Sequence, residues 1–100
     1  MVKLSVLYGQ PKDAAAFEKY YAETHLPIAG KMKGVRKLEL SRVVGTPDGS
    51  SPAYYRMADL YFDDAAHMKQ VMDTPEAKAT VADLANFATG GVTVLVSDVS

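Results

Sequence analysis

The stretch Phe17-Glu18-Lys19-Tyr20-Tyr21-Ala22-Glu23-Thr24-His25-Leu26-Pro27 decides how this chain is read. Phe17, Tyr21 and His25 recur every four residues, so on a helix they lie along one face. Asp13 is a candidate N-cap for a helix that begins at Ala14-Ala15-Ala16 and runs through Tyr21. Leu26 precedes a proline and is biased away from helical angles, which predicts a helix end close to His25. Ile28 to Lys33 would then form a short second helical piece closed by Gly34. A phenol and an imidazole one turn apart against apolar neighbours could move protons on a small molecule. They could equally be the polar end of an amphipathic helix.

Upstream, Val2, Leu4, Val6 and Tyr8 alternate with Lys3 and Ser5, the pattern of a half-buried strand. Downstream, a second strand fits Val35 to Val44, with Val35, Lys37, Glu39, Ser41 and Val43 on one face and Arg36, Leu38, Leu40 and Arg42 on the other. The turn-forming stretch from Gly45 to Pro52 leads to a third strand, Tyr54 to Phe62. There Tyr55, Met57, Asp59 and Tyr61 face one way and Arg56, Ala58, Leu60 and Phe62 the other. Asp63 is read as the cap of a helix carrying Met68, Val71 and Met72, and Thr74-Pro75 restarts it with Ala77, Val81 and Leu84 as its apolar stripe. Gly90-Gly91 reads as a helix C-cap and turn before a fourth strand through Val92, Val94 and Val96.

This order is β-α-β-β-α-β, an α+β ferredoxin-like plan with a four-stranded antiparallel sheet and both helices on one face. One domain, residues 1–100, accounts for the whole chain. The opposite face would present Tyr55, Met57 and Tyr61 as an apolar patch, and a second copy of the sheet would cover it, so a homodimer is expected.

Composition narrows the function. The absence of cysteine excludes disulfides, thiolate catalysis, cysteine-ligated zinc and iron–sulfur clusters. Eleven basic against twelve acidic residues, with no basic stripe, argue against nucleic-acid binding. No apolar run approaches the roughly 20 residues of a membrane helix, and Met-Val-Lys-Leu-Ser does not open a signal peptide, so a cytoplasmic protein is expected.

Four blocks give the chain a resemblance to a known family: Phe17-x-x-Tyr20-Tyr21-x-x-x-His25-x-Pro27, Gly45-Thr46-Pro47-Asp48-Gly49, Leu60-Tyr61-Phe62-Asp63 and Asn86-Phe87-Ala88-Thr89-Gly90-Gly91-Val92. In this order and spacing the chain resembles the EthD family, named from a gene cluster for degrading ethyl tert-butyl ether. The resemblance implies a dimeric α+β barrel in which two ferredoxin-like sheets pack face to face. Relatives of that wider fold include cofactor-free monooxygenases, isomerases and cyclases.

The candidate site follows from the helix and the resemblance together. His25 is the candidate general acid or base, the alternative being a cap on a free carbonyl. Tyr21 is the candidate to hold or polarise an oxygen, the alternative being a core aromatic. Phe17, Tyr20, Met68 and Phe87 are expected to bind substrate, with one of Tyr20 and Tyr21 packing while the other lines the pocket. His67 reads as solvent-exposed, with a haem ligand as its functional alternative, and Asp59 as paired with Lys3, Lys37 or an arginine, the alternative being a polar spot inside the dimer interface. No metal or organic cofactor is called for. The function expected is a cofactor-free oxidoreductase, isomerase or cyclase acting on a hydrophobic small molecule in an oxidative or catabolic pathway. The alternative is a non-catalytic accessory or carrier protein for a partner oxygenase.

Overall fold

The computed structural model describes all 100 residues. Its order is β1 (Val2–Gly9), α1 (Ala14–Tyr20), a π-helical turn (Tyr21–His25), α2 (Leu26–Ala29), β2 (Lys37–Arg42), β3 (Tyr54–Phe62), α3 (Ala65–Met72), α4 (Pro75–Asp83), a 3₁₀ turn (Leu84–Asn86) and β4 (Val92–Asp98). The strands form one antiparallel sheet in the order β2-β3-β1-β4. The ferredoxin-like plan expected from the sequence is therefore the one observed.

Register explains which face is buried. Val2, Leu4, Val6 and Tyr8 pair with Phe62, Leu60, Ala58 and Arg56, so the even-numbered side chains of β1 and β3 share one face. That face meets the helices, and Val2, Val6, Tyr8, Ala58, Leu60 and Phe62 are buried there with Phe17, Tyr21, Val71 and Phe87. Around Tyr8 the core is aromatic: Phe17, Tyr21 and Phe87 each lie within 5.7 Å of its ring centroid. Such pairs contribute about 0.5–1.5 kcal/mol each beyond the area they bury.

Three caps hold the helices where the chain calls for them. Asp13 Oδ1 accepts the Ala16 N–H, and Thr74 caps α4 with Pro75 in its first turn, as the sequence predicts. The cap of α3 falls one residue later than expected, because Asp64 Oδ1 accepts the His67 N–H while Asp63 pairs with Arg36. His67 is half-buried rather than exposed: its Nδ1 accepts the Asp63 backbone N–H, and its ring sits edge-on to Phe62.

The first helix departs from expectation most. Instead of ending near His25, the chain stays helical from Ala14 through Ala29, and Leu26 keeps helical angles (φ −61°, ψ −38°) in front of Pro27. The accommodation is the π turn, in which the Leu26 N–H reaches back five residues to the Tyr21 carbonyl. Pro27, which has no N–H to donate, then falls where the four-residue ladder is already interrupted by the wider turn. Of the expected second piece at 28–33, only Ile28 and Ala29 are helical, as the tail of this same helix, and a turn at Gly30 and Lys31 ends it.

The face away from the helices differs too. β1 and β3 slip register between Tyr8 and Gly9, and Tyr55, opposite that slip, packs its ring edge-on against Phe17 in the helical layer. The outward face is consequently mixed rather than apolar. Tyr61 donates to Glu39 at 2.8 Å beneath Lys37, and Asp59 accepts from its cross-strand neighbour Ser5 rather than from a cation.

Gly90 is not a helix cap, since α4 has already ended at Asp83. It crosses the end of β1 in backbone contact, with Gly9 N–H donating to the Gly91 carbonyl at 2.9 Å. A Cβ at Gly90 would lie 2.2 Å from the Gln10 carbonyl oxygen, and one at Gly9 would lie 2.2 Å from the Gly90 oxygen. Gly90→Ala should therefore destabilise by about 3 kcal/mol, whereas Gly45→Ala, which meets nothing within 4 Å, should cost at most about 0.5 kcal/mol. Thermal melts of the two variants check this; matching midpoints would show that the crossing can relax.

Candidate active site

Between the helices and the sheet lies a partly open cavity of about 180 Å³. Leu4, Val6 and Leu60 form part of its floor, and Leu26, Met72 and Leu84 part of its roof. All but two of the lining side chains are hydrophobic or tyrosine; the exceptions are His25 and Thr80. Polar chemistry is thus confined to Tyr8, Tyr21, His25 and Thr80, and the Thr80 hydroxyl is already turned back onto the Glu76 carbonyl at 2.9 Å.

His25 is held by a partner the sequence reading did not single out. Its Nδ1 lies 2.8 Å from Asp83 Oδ2, and both side chains are buried. The other carboxylate oxygen accepts from the Tyr20 hydroxyl at 2.6 Å and from Asn86 Nδ2 at 3.0 Å. Burial alone would raise the Asp83 pKa, but the bonds from Tyr20, Asn86 and His25 outweigh it and hold the carboxyl below its ordinary range. An ionised carboxylate can only accept, so the His25–Asp83 bond places a proton on Nδ1, and in the neutral ring Nε2 is the acceptor. His25 is therefore bonded to a carboxylate, not to a free helical carbonyl.

The helix carries the rings of this group in a row. Phe17, Tyr21 and His25 stack in sequence, the first pair at 5.5 Å and 22° between planes and the second at 5.8 Å and 16°. Residues four apart lie on one helical face, and this holds from α1 for the first pair and through the π turn for the second. Phe87, which follows the 3₁₀ turn after α4, closes the stack 4.6 Å from the His25 ring.

Tyr21 lines the cavity, and its hydroxyl is a buried polar side-chain atom without a hydrogen bond. Burial pushes its pKa up against the opposing pull of Arg56, whose guanidinium lies 4.9 Å from the ring centre. Arg56 is fixed there by a two-pronged ion pair to Glu18, at 2.7 and 2.8 Å. Tyr8 also lines the cavity, and burial first, then Tyr21 and Asp83, keep its phenol strongly protonated.

The expected site residues separate into three positions. His25 and Tyr21 come together at the cavity. Tyr20 stands behind them on Asp83, and its ring stacks on Phe87. Phe17 and Phe87 are buried in the aromatic core, and Met68 packs against that core without reaching the cavity, where Met72 lies instead. Two cavity or support residues escaped the sequence reading. Tyr8 looks like any strand aromatic. Asp83 carried one usable signal: a carboxylate beside Leu84 in the helical stripe, three residues before an asparagine.

Comparison with known proteins agrees with this architecture. The chain is 39% identical to an ethyl tert-butyl ether degradation (EthD) family protein from Bacillus halodurans C-125, with a TM-score of 0.92 over 100% of this chain and 99% of that one. It is 36% identical, over 98% of its own length and 94% of the relative's, to an uncharacterized 11.0 kDa protein of the thcB-thcC intergenic region in Rhodococcus erythropolis. A more distant likeness, 14% identical with a TM-score of 0.67 over 98% of this chain and 91% of the other, is to SnoaB, a cofactor-independent oxygenase from Streptomyces nogalater. No helix is long and apolar enough to cross a membrane. With the EthD domain matched over residues 9–91, the chain belongs to the EthD family.

Proposed function

We propose that this protein binds a hydrophobic small molecule in the cavity beneath His25 and moves a proton on it without a cofactor. The observation that carries this reading is the His25–Asp83 pair at the wall of an otherwise apolar cavity. Asp83 holds the imidazole in orientation and stands opposite the positive charge the ring gains when a proton arrives, the arrangement by which a carboxylate supports a general base elsewhere. Nε2 takes a proton from an O–H or an acidic C–H of the bound molecule, and Tyr8 and Tyr21 offer hydroxyls to the oxygen on which charge develops. Enolisation, isomerisation, cyclisation and the opening step of cofactor-free oxygenation all begin this way. A role in oxidative catabolism, including ether degradation, fits the family's name, and SnoaB supports it only through a shared fold.

Apolar carbonyl compounds incubated with the protein in heavy water should incorporate deuterium at the acidic carbon, read by NMR. His25→Ala should slow this about 10²–10⁴-fold without changing the fold. Exchange equally fast in the variant would remove His25 from the mechanism, and binding without any exchange would leave the carrier reading.

Asp83 gives a test on stability. Its folded-state pKa lies below its unfolded value, so its contribution is present above about pH 4 and is lost as pH falls through the folded value. Asp83→Asn should cost on the order of 2–3 kcal/mol at neutral pH. Urea melts should show that gap between wild type and variant narrowing between pH 5 and about pH 3. A gap independent of pH would mean that these bonds do not favour the carboxylate.

The same reading includes a homodimer in a cytoplasmic setting. β4 is an edge strand with Val94, Leu95 and Val96 all 49–56% exposed, so apolar side chains stand free on both of its faces. Light scattering should return roughly twice the 10.8 kDa chain mass, and Leu95→Lys should shift it towards one chain. A monomeric wild type would sink the paired barrel.

A further inference from the structure

Resting on the reading of the cavity as a small-molecule site, we infer that it is a slot open at both edges of the sheet. Its ligand is an elongated, chain-like molecule that lies across all four strands and leaves both ends in solvent.

The floor carries this inference. Every strand contributes to it, including the two edge strands, with Leu38 and Leu40 from β2 and Val94 from β4. Pairing sets Leu40 beside Ala58, Ala58 beside Val6 and Val6 beside Val94, so these four side chains form one row across the sheet. Burial along the row is symmetrical. Ala58 and Val6 in the middle are 7% and 9% exposed, whereas Leu40 and Val94 at the ends are 41% and 49% exposed. A pocket with a single opening at one edge would bury the other end of this row. Three steps between neighbouring strands put the two exposed ends about 14 Å apart.

The ligand's form follows from those two openings. A compact molecule under His25 would leave the apolar side chains of at least one rim in water, and a chain reaching past both rims covers them. Either end can be charged, because it emerges into solvent, whereas the stretch inside must be apolar except where it meets His25. Tyr8, Tyr21 and His25 belong to β1 and the π turn and to neither edge strand, so the group they act on lies along the chain rather than at its tip.

Three acids test this by calorimetric titration of the intact protein at pH 7: tetradecanedioate, octanedioate and tetradecanoate. At roughly 1.2 Å per bond, the extended long diacid exceeds the span between the rims and the short one falls well below it. Tetradecanedioate should bind at least about tenfold more tightly than octanedioate, which has to bury a carboxylate. Leu40→Trp and Val94→Trp each narrow one opening. Either should weaken the long diacid at least about tenfold while leaving the monoacid, which can enter from the other edge, within about threefold. Binding of the monoacid with rejection of the long diacid would mean one opening, overturning the slot while leaving a small-molecule site. A long diacid indifferent to both substitutions would be seated elsewhere, which also overturns it. No heat from any acid, with the protein folded by its melt, removes the chain ligand, and deuterium exchange on small carbonyl compounds would still report on the acid–base site.

Discussion

A single carboxylate with three donors organises the helical layer. Asp83 leaves the end of α4 and takes the Tyr20 hydroxyl, the Asn86 amide and the His25 imidazole, so that two separate helical runs meet on one charged group. Burying a charge is costly unless every oxygen is satisfied, and here each partner also has another task. Tyr20 stacks on Phe87, Asn86 ends the 3₁₀ turn, and His25 reaches the cavity. The cavity keeps its shape because the elements around it are tied at that point. The apolar rings below could slide against one another far more easily than these short, directional bonds could move.

That arrangement also separates structure from chemistry within one aromatic cluster. Phe17 and Phe87 are packing material, and their value is to press on Tyr8, Tyr21 and His25. The hydroxyls of Tyr8 and Tyr21 are kept protonated by burial, and so remain donors across the ordinary pH range. Glu18 and Arg56 fix the far side of Tyr21 with a pair of short bonds, which gives the ring a charged backing without placing a charge among the cavity-lining side chains.

The sequence already revealed the strand order, the two N-caps at Asp13 and Thr74 and the shared face of Phe17, Tyr21 and His25, because each is a local pattern with one physical meaning. What could not be read depended on partners distant along the chain. Nothing near Asp83 says that a histidine 58 residues earlier will meet it. The Tyr55 ring changes side because β1 and β3 slip by a residue, which alternation along β3 alone cannot show. Pro27 misled for a different reason. The rule that the preceding residue avoids helical angles is a bias, and the five-residue bond from Leu26 to Tyr21 overrides it.

The π turn has a consequence for what one helix can do. Relative to a plain α-helix it holds one surplus residue, and one residue is about 100° of helical rotation. Wound as a plain α-helix, the same residues would keep His25 on the face of Tyr21 but would carry every side chain after it about 100° further round. Leu26 and Ala29, which line the cavity, would then turn away from it. The wider turn lets one helix serve two purposes in succession, the aromatic stack before it and the cavity roof after it.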